Sequence, residues 1–182
     1  MKIAYLAWGS LVWRPDELLI RGQWFKDGPF LPIEFCRQSD DGRLTLVITP
    51  GKPELRTLWA LASTDSLNKA IASLQNREGL RGGKKDKNTG AWPTDPNYAE
   101  APPSIVTWAR QNTYDAVIWT ALGPHFARED DPPTVDEAVK YLRELPHEKR
   151  RLAEEYIRRT PVQIDTDYRR RFELEFGWKP FN

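Results

Sequence analysis

Two places in the chain carry residue types that could do chemistry. The first is Gly9-Ser10, which breaks the apolar and aromatic run Tyr5-Leu6-Ala7-Trp8 and leads into Leu11-Val12-Trp13. A glycine at such a point permits a tight turn and lets a ligand approach backbone N–H groups closely. The second is Arg77-Glu78, at the end of a helical pattern. A carboxylate at a helix C-terminus opposes the helix dipole, so helix stability does not account for Glu78. Taken singly, each has a plainer meaning: Gly-Ser after an apolar strand is an ordinary turn, and Arg and Glu are common at exposed helix ends.

Other catalytic arrangements are poorly supplied. Ser10 lacks the second glycine of a nucleophile elbow, and a hydrolase would also need His125 or His147 beside it. His125 reads as a strand-end structural residue and His147 as a solvent-facing helix residue. With 2 His and 1 Cys in the chain, no dedicated metal site is expected. Cys36 lies inside a strand pattern and is assigned to packing; it cannot form an internal disulfide, which fits a reducing cytoplasm.

The 27 basic and 26 acidic residues nearly cancel. No long-range field therefore draws the chain to nucleic acid or to an anionic membrane. The basic runs Arg81 to Lys87, Lys149-Arg150-Arg151 and Arg169-Arg170-Arg171 read as solvated surface. No stretch approaches the roughly 20 apolar residues of a membrane helix. The opening segment reads as a strand rather than a leader, so a soluble, cytoplasmic protein is expected.

These residues need a scaffold. Strands are expected over residues 3–8, 31–37, 43–49, 57–62 and 114–122, with 31–37 and 43–49 joined as a hairpin across Ser39-Asp40-Asp41-Gly42. Leu67, Ala70, Ile71 and Leu74 recur at helical spacing, predicting a helix over 66–77 capped by Asp65. Short helices are expected after Arg14-Pro15 and over 104–111. Thr134 and Glu137 form a capping box ahead of Val135, Ala138, Val139 and Leu142, and another helix is expected over 147–159. Beyond Pro161, Tyr168, Phe172 and Phe176 favour a helix. Residues 79–103, rich in Gly, Lys, Asp, Asn and Pro, read as a long loop able to act as a lid, with Trp92 as an aromatic closing over a ligand. Trp59 and Trp119 are assigned to the core. The length suits one domain, 1–182.

The stretch Tyr5-Leu6-Ala7-Trp8-Gly9-Ser10-Leu11-Val12-Trp13-Arg14-Pro15 resembles the opening strand and loop of γ-glutamylcyclotransferases, above all their ChaC-like branch. Leu74-Gln75-Asn76-Arg77-Glu78-Gly79 is similar to the stretch in which that family carries its catalytic glutamate. Trp8 stands where the family usually has Tyr, and Gly82-Gly83 is followed by Lys84 rather than Tyr. The resemblance implies an α+β fold with a mixed, barrel-like sheet, surrounding helices and a C-terminal helical extension.

It also implies an activity. The α-amine of a γ-glutamyl group attacks its own γ-carbonyl, forming 5-oxoproline and releasing an amine or peptide, with no cofactor. Glu78 would be the general acid/base. Tyr5, Trp8, Gly9, Ser10 and Leu11 would bind the substrate, the backbone N–H groups of the Gly9-Ser10-Leu11 loop facing a carboxylate or oxyanion. A relative that binds a small metabolite or a protein without turnover is the alternative, and an RNA-binding protein using the basic loop is a third.

Overall fold

The computed structural model describes residues 1–80, 87–93 and 96–181. Contacts divide the chain into two compact units: Met1–Ala7, Arg14–Leu31 and Arg56–Leu122 form the first, and Trp8–Trp13, Pro32–Leu55 and Gly123–Asn182 the second.

The first unit is built on a five-stranded sheet. Its strands are β1 (Ile3–Ala7), β2 (Ile20–Phe25), β6 (Leu58–Ala62), β7 (Thr89–Trp92) and β8 (Ala116–Thr120), in the order β2-β6-β1-β8-β7. β1 lies in the middle, antiparallel to β6 and parallel to β8. A central strand has neighbours on both edges, and every residue of β1 is buried, which explains its uninterrupted apolar sequence. Helices α1 (Leu67–Arg77) and α2 (Pro103–Gln111) pack on this sheet through Ala70, Ile71 and Leu74, and through Ile105, Trp108 and Ala109.

Most of a three-stranded sheet, β4-β3-β5, belongs to the second unit. β3 (Phe30–Gln38) and β4 (Leu44–Ile48) form the expected antiparallel hairpin, and β5 is Glu54–Arg56. Helices α3 (Val135–Glu144), α4 (His147–Arg159) and α5 (Asp167–Phe176) complete the unit. Thr134 and Glu137 make the anticipated capping box. Thr166 caps α5 and Gly177, in the left-handed conformation, ends it.

The chain is α+β with a mixed sheet, but the barrel-like closure expected of it is not found. β2 and β7 are the two edges of the five-stranded sheet and do not pair with each other. β2 carries a register shift between Arg21 and Phe25 within its ladder with β6, and pairing resumes at Phe25 opposite Trp59. Three local expectations also change. Ser66, not Asp65, caps α1; residues after Arg14-Pro15 form turns rather than a helix; and the expected loop contains β7, so Trp92 is a half-buried strand residue paired with Val117. The lid reading and the basic residues Arg81, Lys84 and Lys85 fall partly or wholly on 81–86 and 94–95, outside the described residues.

Candidate functional site

Glu78 is the C-cap of α1, and its backbone is closely determined. Its N–H donates to the Leu74 carbonyl at 2.9 Å. Gly79 follows at φ +64, a left-handed conformation that favours glycine. Gly79 N–H then reaches the Asn76 carbonyl at 3.2 Å and Leu80 N–H the Gln75 carbonyl at 2.9 Å. This is the Schellman arrangement, which satisfies the last carbonyls of a helix.

The Glu78 side chain is 18% exposed and accepts from Arg77 Nη1 at 2.9 Å. Arg77, 9% exposed, also donates through Nε and Nη2 to the Arg14 carbonyl at 3.1 and 2.6 Å. One guanidinium thus fixes the carboxylate and the turn after Trp13. A fork with donors on several edges can do this; an ammonium cannot reach both targets in one plane.

In the second unit, Trp8 to Val12 form a turn closed by Val12 N–H on the Gly9 carbonyl at 3.0 Å. Trp8 is buried, its indole N–H donating to the Leu46 carbonyl at 3.1 Å. Leu11 is buried and Ser10 half-buried. A Cβ added to Gly9 would meet the Tyr156 hydroxyl inside 3.0 Å, closer than real Cβ contacts come. A side chain at residue 9 would therefore have to displace the Tyr156 hydroxyl.

Tyr5 belongs to the first unit and is fully buried. Its phenol donates to the Ala70 carbonyl at 3.0 Å, tying β1 to α1. Burial pushes its pKa up to about 12, against a smaller opposing effect of the Ser73 hydroxyl. The group is thus a protonated donor at neutral pH. Of the residues singled out in the sequence, Trp8, Gly9, Ser10 and Leu11 share one turn in the second unit, whereas Tyr5 and Glu78 belong to the first.

The remaining candidates have structural surroundings. Cys36 is buried, and burial raises its thiol to about 11, so it is not a thiolate nucleophile. His125 pairs with Asp130 at 2.9 Å, and His147 with Glu148 at 3.4 Å on an exposed helix start. Trp119 is in the core; Trp59 is half-buried, its indole N–H on Asp27 at 2.7 Å. Among the described residues no three His, Cys, Asp or Glu side chains are placed to hold a metal ion, and no helix is long and apolar enough to cross a membrane. An open polar cleft of about 510 Å³ lies in the first unit, lined by Lys2, Arg21, Ser63, Thr64 and Asp65 among others; neither Tyr5 nor Glu78 lines it.

Tyr156 was not signalled as a site residue by the sequence. It shares the buried stripe of α4 with Ala153 and Ile157, which marks it only as an aromatic facing a core. No protein-family model matches the chain, and neither a curated protein nor a solved structure matches it.

Proposed function

We propose that the chain is a γ-glutamylcyclotransferase-like enzyme releasing 5-oxoproline from a γ-glutamyl amine or peptide. The observation that carries the reading is that Glu78, in the stretch similar to the family's catalytic segment, is a partly exposed carboxylate fixed by its own helix terminus and by Arg77. The position opposes the helix dipole, yet three backbone hydrogen bonds and a guanidinium hold it in place.

In this mechanism Glu78 takes a proton from the attacking α-nitrogen as the new N–C bond forms at the γ-carbonyl. The tetrahedral oxyanion collapses, the bond to the original amide nitrogen breaks, and Glu78 returns the proton to that departing nitrogen. Ring closure is intramolecular, so holding the glutamyl chain folded supplies a large part of the acceleration.

The test incubates the protein with γ-glutamyl amines, γ-glutamyl dipeptides and glutathione and follows 5-oxoproline, then repeats the assay with Glu78→Gln. Product from at least one substrate, lost in the variant, supports the reading. No product from the panel favours a binding protein without turnover, and unchanged turnover in the variant removes Glu78 from the mechanism.

A further inference from the structure

The open cleft of about 510 Å³ is lined by residues of the first unit alone, and Glu78 is not among them. Its walls come from three places in the chain: Lys2 and Ile3 at the head of β1, Arg21 on β2, and Leu61 to Asp65, which run from the end of β6 toward α1. The volume is in the range of small-molecule sites.

Arg21 sits at the irregular point of the edge strand. It stands opposite Leu61, and the next pairing sets Phe25 opposite Trp59, so four steps along β2 match two along β6. Gly22, left-handed at φ +78, follows Arg21 at this slip. Bulges of this kind re-aim a side chain beside a site. Across the cleft, Ser63 N–H donates to the Leu19 carbonyl at 2.8 Å and Ser66 N–H to the Thr64 hydroxyl oxygen at 3.2 Å, so the segment that carries Asp65 is tied on both sides.

The charges of the cleft are unequally committed. The Lys2 ammonium donates to the Asn112 carbonyl at 2.9 Å and lies 4.3 Å from the centre of the Tyr114 ring. Arg21 and Asp65, by contrast, make no side-chain hydrogen bond or ion pair among the described residues, with each other or with any neighbour. Neither has a protein partner to give up when a ligand arrives.

A guanidinium and a carboxylate that line one cleft without neutralising each other match a ligand that carries both charges. The Arg21 fork suits a carboxylate, which it can hold through two parallel N–H bonds, and Asp65 accepts from an ammonium. We infer that this cleft binds a small zwitterion of the amino acid class, its carboxylate on Arg21 and its ammonium on Asp65. Because Glu78 does not line the cleft, the inference does not rest on the functional reading above.

The experiment is a titration of the full chain followed through the amide resonances of Arg21, Ser63, Thr64 and Asp65. The probes are L-alanine, L-leucine and γ-aminobutyrate, which differ in apolar bulk and in the spacing of their charges. At least one should shift these resonances to saturation with a Kd of about 1 mM or below. Ethylamine and propionate, each with one of the two charges, should bind about ten-fold more weakly, and Arg21→Gln and Asp65→Asn should each weaken the zwitterion about ten-fold. Both positions are exposed, so the variants should keep the wild-type melting temperature and the loss reads the site alone.

No saturable shift from any of the three zwitterions overturns the inference. So does propionate or ethylamine binding as tightly as the best of them, which would make the cleft a site for a single charge. Zwitterion binding that neither substitution weakens overturns it as well, by placing the ligand elsewhere.

Discussion

The Arg77 guanidinium donates to the Glu78 carboxylate at 2.9 Å while two of its other nitrogens hold the Arg14 carbonyl. In the reaction proposed above the carboxylate must be aimed, and a neighbour that is 9% exposed and bonded on both sides is suited to aiming it. Arg77→Lys keeps the charge and loses the fork. It should lower kcat for 5-oxoproline release about ten-fold to a hundred-fold, against a loss of about 10²–10⁴ for Glu78→Gln. Wild-type kcat in Arg77→Lys would mean that the fork does not serve the reaction.

Glu34 makes a pH-dependent prediction. Its side chain is fully buried and takes backbone N–H bonds from Phe35 at 2.9 Å and Tyr168 at 3.3 Å, joining β3 to the start of α5. Burial raises its pKa despite these bonds, the Thr166 hydroxyl and the charge of Lys52. A folded-state pKa above the unfolded one means the folded state binds the proton more tightly. The resulting stability is fully present below the unfolded pKa and is lost as pH rises through the folded one. Urea unfolding across the acidic range should show wild type gaining stability relative to Glu34→Gln as pH falls through that window. Parallel curves for the two proteins would refute it.

Much of this architecture was legible because its elements carry local signals. The Thr134/Glu137 box marks the start of α3, and the helical spacing of Tyr168, Phe172 and Phe176 is realised in α5, with Thr166 and Gly177 supplying caps at its two ends. β2 was missed for a physical reason. Its residues Ile-Arg-Gly-Gln-Trp-Phe are mostly exposed, and Gly22 at φ +78 interrupts any alternation, so the strand exists through pairing with β6 rather than through its own pattern. β7 is four residues inside a polar segment and is defined by its ladder with β8. At the candidate site, the place of Glu78 at the end of α1 was legible from the helical spacing that precedes it. Tyr156 was not, since its tie to Gly9 spans most of the chain and leaves no local trace.

Gly90 in β7 illustrates such a non-local requirement. A Cβ there would overlap the indole of Trp119, a fully buried β8 residue directly opposite in the ladder. The clash is with a rigid ring in the core, so neither partner can relax cheaply. Gly90→Ala should destabilise the protein by about 3 kcal/mol, measured by urea unfolding. Combining it with Trp119→Phe should cost less than the two separate changes together; strict additivity would show that the ring does not occupy that space.

Arg169, expected from its basic run to lie on the solvated surface, is instead buried and closes the loop between α4 and α5 from inside. It is 1% exposed, and its guanidinium donates to the carbonyls of Thr160 at 2.7 Å, Pro161 at 2.8 Å and Ile164 at 3.0 Å. Glu173, at 3.8 Å from Nε, and Asp165 are opposite charges nearby. Three carbonyls would lose their donors together if this side chain were removed, and water has little access to replace it. Arg169→Met should therefore cost about 3 kcal/mol or more. Arg169→Lys should cost nearly as much, because one compact ammonium cannot span three acceptors arranged for a planar fork. Chemical unfolding of both variants checks this, and a lysine variant as stable as wild type would show that charge alone, without the fork, holds the loop.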